Sequence, residues 1–337
     1  MRRRTIWIIV SVLFVALVIV AAFILRKRAA PEAARLLPEA DAYVYLNLRP
    51  LRIAGLIGKN PLPIDEPEYA QFMSDTGFQF ERDLDEVAFA VHAPPRLADA
   101  EPVPGAPQAF RRFSEIFIGR FDTPRAAAYF RRLAKSADRY RQVEVFNIPL
   151  EGRTLRVALL GVGVAAASNA DGPAAIHYMI DRYKEVALPF GGPPLIRQYY
   201  RRVPFGSLFW GITRVGAEGG RAAPLMLPGG FDLFFPSNTV VVGSVRYTSA
   251  IQVKAEAFTG SPAEAERVVE QANAFLTIFH GLERSTSPSG ADADAKAFFE
   301  SIKVFPYKSR ALFEATVPPG FLKKAFAEGS GREAVPR

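Results

Sequence analysis

The sequence contains no cysteine and only three histidines. Without cysteine the chain forms no disulfide, offers no thiolate to a metal and carries no lipid-modified cysteine as an anchor. His92, His177 and His280 are far apart, and none has a second histidine at the spacing of a metal-binding pair. These absences exclude cysteine-dependent chemistry, and we predict that the protein holds no metal and no other cofactor.

Catalytic signatures are also absent from the sequence, which has no phosphate-binding loop and no G-x-S-x-G or S-x-x-K pattern. The closest approach to a cofactor motif is Gly161–Ala166, which has the form G-x-G-x-x-A after an apolar run. In a dinucleotide fold a helix should continue from these glycines, but Asp171-Gly172-Pro173 interrupts it. We interpret the motif as a small-residue strand and predict that the protein is not an enzyme.

Residues 6–25 form a long apolar run in which Ser11 is the only polar residue. A helix rises about 1.5 Å per residue, so this length spans the roughly 30 Å hydrocarbon core of a bilayer. A cleaved signal peptide has a shorter apolar region of about 7–15 residues that ends at a small-residue cleavage site. The first such site here is Ala40-Asp41-Ala42, which lies far beyond the end of the apolar run at Leu25. We therefore predict an uncleaved transmembrane helix that contacts the lipid bilayer through residues 6–25.

Positive charge is concentrated beside this segment. The whole chain has a formal net charge of +8, and residues 1–28 contain six Lys and Arg residues and no acid. Such cations are attracted to anionic lipid headgroups by roughly 1 kcal/mol each. The basic composition therefore indicates a membrane surface, and we predict no nucleic-acid partner. The cations are almost equal in number on the two sides of the run, so charge alone does not decide the orientation.

The remainder of the chain is rich in core-forming residues, with 27 phenylalanines in all. Strand-like segments are joined by short turns, and helices occur only between some of them, which favours antiparallel or mixed sheets. The sequence thus predicts an α+β fold with packed helices. The predicted segments are a linker at 26–38, a first α+β lobe at 39–205, a second at 206–327 and a disordered tail at 328–337.

Strands are predicted where β-branched and aromatic residues cluster between turn residues. The predicted strands are 42–48, 86–92, 113–121, 143–149, 155–167, 207–215, 239–244, 250–258, 302–307 and 310–317. Helices are predicted to begin near Thr123, Asp171, Pro193, Ser261, Ala295 and Pro318. Two segments, Phe113–Leu133 and Ala250–Val269, share a strand that ends in phenylalanine before a hydroxyl-proline helix start. This match is either convergence or the mark of two related lobes.

A glycine- and proline-rich segment carries Leu225, Met226 and Leu227. Apolar side chains on such a loop have little core to enter, and exposed apolar patches often mark interaction sites. We therefore take these three residues as a possible contact with lipid or a partner protein. The alternative is that they lie over a core formed by the phenylalanines that follow.

Several short motifs resemble those of uncharacterised bacterial membrane-anchored proteins. They are Leu37–Leu46, Asp83–Ala90, Gly119–Phe121 and Arg201–Pro204 before Trp210. The resemblance implies an extracytoplasmic domain of unknown function and supplies no catalytic residue. We expect a single-pass protein of the cytoplasmic (inner) membrane, with the N-terminus inside and residues 39–337 on the periplasmic side.

Function is predicted only as a class. We expect a binding or structural module of the bacterial envelope, with an envelope protein or a lipid as its partner. The alternative is a carrier or sensor of an apolar ligand, and a less favoured alternative is an enzyme without recognisable motifs. A deep apolar cavity would favour the carrier, whereas clustered ionisable residues in a pocket would favour the enzyme.

Overall fold

The computed structural model describes residues 29–55, 57, 67–92, 112–150, 152–185, 191–215, 235–286, 293–318 and 320. The predicted membrane-spanning segment 6–25 and the predicted tail 328–337 lie outside these residues. In the part of the chain that is described, no helix is both long and apolar enough to cross a membrane.

One sheet of twelve strands forms the centre of the structure. Its strands are β1 (Ala42–Asn47), β2 (Leu84–His92), β3 (Arg112–Gly119), β4 (Ser136–Tyr140), β5 (Val143–Leu150), β6 (Arg153–Gly161), β7 (Val164–Ser168), β8 (Ser207–Val215), β9 (Thr239–Tyr247), β10 (Ile251–Phe258), β11 (Lys303–Pro306) and β12 (Arg310–Val317). The helices are α1 (Glu32–Leu36), α2 (Arg49–Ile53), α3 (Pro67–Thr76), α4 (Phe80–Asp83), α5 (Thr123–Leu133), α6 (Ala174–Lys184), α7 (Pro194–Tyr199), α8 (Pro262–Thr286) and α9 (Ala293–Ser301), with a 3₁₀ turn at Tyr200–Arg202.

The strands lie in the order β11-β12-β10-β9-β8-β1-β2-β3-β7-β6-β5-β4. Each described pair of neighbouring strands is antiparallel. Antiparallel neighbours can be joined by a tight turn, which explains why many of the connections are short. The predicted α+β fold with an antiparallel sheet and packed helices is confirmed.

The prediction of a single strand over 155–167 is wrong. The chain reverses at Val162 and Gly163 and forms the hairpin of β6 and β7. Gly163 permits the turn because its φ of +71° is one that glycine adopts without steric cost. The glycines of the G-x-G-x-x-A pattern therefore close a hairpin, whereas a dinucleotide motif would open a helix.

Short helices are the elements that the sequence patterns miss. The predicted helix at Thr123 begins there, but Asp122 is its N-cap and accepts the backbone N–H of Arg125 at 3.1 Å. The sequence predicts that this helix continues to about Ala137, but it ends at Leu133 and β4 begins at Ser136. The sequence also predicts no helix for α1, α2, α3 or α4 and no strand for β4.

Side chains of alternate residues point to opposite faces of the sheet. The face that carries Tyr43 and Tyr45, called the Tyr43 face below, packs against α1, α6 and α7. Trp210 is 1% exposed on this face and stacks on Tyr45 with ring centroids 5.3 Å apart. Because Tyr45 lies on β1 and Trp210 on β8, the stack joins the two halves of the sheet.

The opposite face carries Leu46 and is called the Leu46 face below. Its phenylalanine-rich cluster includes Phe72 of α3 and Phe117 of β3, and Phe130 of α5 packs in the adjoining cluster. At the other end of the sheet, α8 covers this face with Val268 and Val269. The Leu46 face thus has two separate helical covers.

Helix α1 belongs to the core, although the sequence predicts a linker over 26–38. Ala33 is fully buried in the cluster on the Tyr43 face. The Tyr43 hydroxyl accepts the backbone N–H of Ala40 at 2.6 Å and donates to the carbonyl of Pro38 at 2.9 Å. These bonds fix the entry of the chain into β1, so a shortened protein needs α1 to keep its core complete.

The two halves of the sheet have matching strand orders. From β1 outward the order is β1-β2-β3-β7-β6, and from β8 outward it is β8-β9-β10-β12-β11. In each half the third strand leads into a helix, α5 or α8, and the second strand of a later hairpin pairs with that third strand. A duplicated unit would produce this match. The lobe boundaries at 39–205 and 206–327 stay a prediction, because the sheet is continuous from β1 to β8.

We expect Gly163→Ala to destabilise the protein strongly. The backbone there is left-handed, and an added Cβ would lie far inside van der Waals distance of the Gly119 carbonyl oxygen. The backbone N–H of Gly119 donates to the Gly163 carbonyl at 2.9 Å, so the two segments cannot separate freely. Overpacking of this kind costs roughly 1–3 kcal/mol in addition to the backbone strain. Urea unfolding followed by circular dichroism measures the loss.

Gly152→Ala is the matched control for this change. Gly152 has a similar φ of +80° in the β5–β6 turn, but nothing lies within 4 Å of an added Cβ. Only the left-handed strain of roughly 1–2 kcal/mol applies to it. Equal losses of stability in Gly152→Ala and Gly163→Ala would contradict the close packing of the β6–β7 turn against Gly119.

Candidate ligand-binding cavity

A partly open cavity of about 270 Å³ lies on the Leu46 face, bounded by the sheet and by helices α3 and α5. Seven phenylalanines contribute to its wall, namely Phe72, Phe78, Phe80, Phe113, Phe117, Phe121 and Phe130. An engineered apolar cavity of roughly 150 Å³ in another protein binds benzene. The present cavity is therefore large enough for a small apolar molecule or for part of a longer chain.

The aromatic residues of this wall support one another. Phe72 stacks on Phe80 with centroids 5.8 Å apart, and Phe78 meets Phe121 edge to face at 5.7 Å. Stacked and edge-to-face pairs each contribute about 0.5–1.5 kcal/mol beyond the area that they bury. The wall is thus a linked set of rings contributed by α3, α4, the connection between these two helices and the segment that follows β3.

Small side chains leave the space open. Strand β7 contributes Ala165 and Ala167, and α5 contributes Ala126, which is 5% exposed. Alanine is depleted in strands because it offers little side chain to pack against its neighbours. Because the facing residues of β7 and α5 are alanines, the larger phenylalanines around them set the distance between the helix and the sheet, and space remains between the alanines.

Glu115 on β3 is the ionisable residue among the described residues that line the cavity. Its neighbours two positions away, Phe113 and Phe117, lie on the same face of the strand. Its cross-strand partners are Phe89 on β2 and Ala167 on β7. Apolar side chains therefore flank Glu115 along the strand and across it. Among the described residues, no hydrogen-bond or ion-pair partner contacts its carboxyl group.

Burial raises the pKa of the Glu115 carboxyl from 4.5 to about 7. Removal from water disfavours the charged form, and no neighbouring positive charge offsets this effect. A carboxyl group with such a pKa exists in both forms near neutral pH. It can donate a hydrogen bond when protonated and only accept when ionised, so it can meet different polar groups of a ligand.

The residue next to Glu115 takes part in a hydrogen-bond chain on the Tyr43 face. His92 Nε2 lies 2.9 Å from Ser114 Oγ, which in turn lies 2.9 Å from Ser168 Oγ. A serine beside a histidine can also act as an activated nucleophile. Ser114 is 0% exposed, so a substrate cannot reach its hydroxyl. These hydrogen bonds instead satisfy polar groups inside the core.

Glu86, another partly buried carboxyl residue, lies on the Tyr43 face. It is hydrogen-bonded to Tyr45, and burial raises its pKa above the ordinary value. Burial and the nearby Glu86 raise the pKa of Tyr200 to about 12. Trp210 and Tyr45 are 1% and 3% exposed, so tight aromatic packing closes this polar cluster to a ligand.

The residues predicted from the sequence as a contact site, Leu225, Met226 and Leu227, lie outside the described residues, and their role stays a prediction.

Across the described ranges, no group of three or more His, Asp or Glu residues could hold a metal ion. His177 stacks on Tyr140 with centroids 3.8 Å apart. The absence of a metal and of a cofactor from the working protein also stays a prediction.

The sequence predicts a carrier or sensor of an apolar ligand as an alternative, but it does not locate the cavity, and Glu115 is not among the predicted site residues. The signal for Glu115 is present in β3, where a carboxyl residue stands between Phe113 and Phe117 in the same alternating set. Phe72 gives no comparable signal, because its place in the cavity depends on how α3 packs against α5.

The chain matches no protein-family model and no curated protein. Solved structures of a protein named TP0453 resemble it. Crystal form III is 8% identical with a TM-score of 0.42, and the match covers 89% of this chain and 99% of that one. Form IV is 10% identical with a TM-score of 0.43, and it covers 88% and 97% of the two chains. This similarity is too distant to support an argument about function.

Glu115 should make the protein less stable as the pH rises. Its pKa in the folded state, about 7, lies above the ordinary 4.5, so the folded state keeps the proton to higher pH than the unfolded state. The free energy of unfolding should therefore fall by up to about 3 kcal/mol from this group between about pH 4.5 and pH 7. Glu115→Gln should remove this part of the slope in urea unfolding measured across that range.

Glu144→Gln serves as the control for the pH experiment. The guanidinium of Arg131 lowers the pKa of the Glu144 carboxyl, so its titration lies below the range in which Glu115 changes charge. This variant should keep the slope of the unchanged protein above about pH 5.5, where Glu144 is ionised in both the folded and the unfolded state. If the slope survives Glu115→Gln, the Glu115 carboxyl is solvated in the folded protein.

Proposed function

We propose that the protein binds an apolar molecule in the cavity between the sheet and helices α3 and α5, and that it acts as a carrier or sensor. The observation that supports this proposal is the phenylalanine-lined space of about 270 Å³. Because the cavity is partly open, its apolar wall faces water, and each Å² of such surface that a ligand covers stabilises the complex by about 25 cal/mol. A bound apolar molecule would remove this wall from water.

The polarity of the cavity favours binding over catalysis. Nucleophilic and acid–base mechanisms need a reactive group together with a second group that activates or orients it. Glu115 has no ionisable neighbour among the described cavity residues. Pockets that bind small molecules commonly combine an apolar lining with a few polar groups, which is the combination present here.

A position at the membrane would give the cavity access to lipid-like molecules. We place the protein in the cytoplasmic membrane of a bacterial cell, with residues 6–25 as a single anchor and the body on the periplasmic side. Helix α1 begins at Glu32, seven residues after Leu25. A connection of that length keeps the body within about 25 Å of the bilayer, close enough to accept an apolar molecule that leaves it.

Docking on an envelope protein or a lipid surface is the second candidate function. Ile53 is 80% exposed and Val162 is 95% exposed, so the described surface carries apolar side chains that a partner could cover. Leu225, Met226 and Leu227 remain the proposed contact residues for such a partner. Their replacement with serine should weaken association with liposomes without unfolding the body.

Ala126→Leu should block the cavity. Leucine at this buried position of α5 extends into the space that a ligand would occupy, and it forms helices almost as well as alanine. N-phenyl-1-naphthylamine, an uncharged apolar dye, becomes fluorescent when it leaves water. We expect its affinity for the full-length protein in detergent to fall roughly tenfold or more, a loss of about 1.4 kcal/mol.

Ala128→Leu is the matched control, since Ala128 is an exposed residue of the same helix. It should bind the dye as the unchanged protein does, and the circular dichroism spectra of all three proteins should agree. Equal dye binding by Ala126→Leu and Ala128→Leu would place the dye elsewhere and overturn the proposal. Failure of the unchanged, delipidated protein to bind the dye would overturn it as well.

A further inference from the structure

We propose that Glu115 contacts the polar end of the bound molecule, so that the cavity selects chains that end in an amine or a hydroxyl group over chains that end in a carboxylate. This inference rests on the proposed function, because it concerns a ligand in the same cavity. It adds the chemical class of that ligand and the residue that determines it.

Among the described polar side chains of the cavity wall, Glu115 is the one that can still hydrogen-bond to a ligand. The other polar side chain in the wall, Thr76, is already engaged. Its hydroxyl donates to the backbone carbonyl of Phe72 at 2.6 Å and accepts the backbone N–H of Phe78 at 3.1 Å. A ligand with a polar end therefore meets Glu115, whereas its apolar part meets the phenylalanines.

The carboxyl group distinguishes between polar ends by charge and by hydrogen-bonding capacity. Glu115 is half-buried among apolar side chains, so a hydroxyl or an ammonium that donates to its carboxyl forms a hydrogen bond in a low-dielectric site, where such a bond is stronger than in water. Two carboxylates held close together repel one another. A fatty-acid carboxylate would therefore be disfavoured wherever Glu115 is ionised, and the lower the pH, the smaller this discrimination becomes.

The charged groups of the surrounding elements are engaged away from the cavity. Asp75 at the end of α3 pairs with Arg132 of α5, and Arg125 of α5 donates to the backbone carbonyls of Ser74 and Asp75. Arg131 of α5 pairs with Glu144 of β5.

On the strands and on α4 the charged groups are also turned elsewhere. Glu86 and His92 of β2 lie on the Tyr43 face. In β6, Arg156 donates to the carbonyl of Ala170, and Arg153, at the start of the strand, pairs with Asp171. In α4, Arg82 pairs with Asp83, and Glu81 accepts the Tyr69 hydroxyl. Glu115 is thus the group whose charge a ligand in the cavity senses.

Three chains of equal length provide the test: decylamine, 1-decanol and decanoate. Each is used to displace N-phenyl-1-naphthylamine from the full-length protein in detergent at a pH of about 8.5, where Glu115 is mostly ionised. We expect decylamine and 1-decanol to bind roughly tenfold or more tightly than decanoate. At a pH of about 6, where Glu115 holds its proton, the disadvantage of decanoate should shrink several-fold.

Glu115→Gln keeps the size of the side chain and removes its charge. In this variant the three chains should bind within about threefold of one another at both pH values, while the dye itself still binds. Glu144→Gln, which changes a carboxyl outside the cavity, should behave as the unchanged protein.

The outcomes separate this inference from the proposed function. If the chains displace the dye with equal affinity, or if Glu115→Gln leaves their order unchanged, Glu115 does not select the ligand, although the cavity still binds apolar molecules. A preference for decanoate in the unchanged protein at the higher pH also overturns the inference. If no chain displaces the dye and Ala126→Leu has no effect on it, the cavity proposal itself fails.

Discussion

The pairing of β1 with both β2 and β8 is the interaction on which the rest of the structure depends. β1 has only six residues, yet it joins the two halves of a twelve-stranded sheet. The Tyr45–Trp210 stack reinforces the β1–β8 pair, and the hydroxyl of Tyr43 fixes the backbone that leads into β1. Loss of this strand would separate two incomplete sheets, each with an unpaired apolar edge.

A continuous sheet with two covered faces imposes different demands on successive residues of one strand. In β3, Ser114 and Ile116 face the tightly packed Tyr43 face and are 0% exposed. Glu115 and Phe117, between and beside them, face the cavity. The tight face gives the strand a fixed position, and the looser Leu46 face can therefore keep an open space without the sheet collapsing into it.

Local patterns predicted the parts of the structure that local chemistry determines. The strand Ser207–Val215 was located to the residue, because β-branched and aromatic side chains with turn residues at both ends are a feature of the sequence itself. The prediction of one strand over 155–167 is wrong because the apolar residues continue through the turn at Gly163 and give no sign of it. The cavity could not be located, since it arises where Phe72 and Phe113, distant in sequence, are brought together. The sequence does contain a signal for Glu115, because this carboxyl residue alternates with Phe113 and Phe117 along one face of the predicted strand.

The two ends of the sheet have a consequence for how copies of the protein behave when they are crowded. Strand β4 at one end exposes four of its five residues, among them Asp138 and Arg139. Strand β11 at the other end is short and finishes at Pro306, which has no N–H to donate. Charged, short or proline-bearing edges discourage the addition of a strand from another molecule. Neighbouring copies can therefore reach high local concentration without their sheets fusing into aggregates.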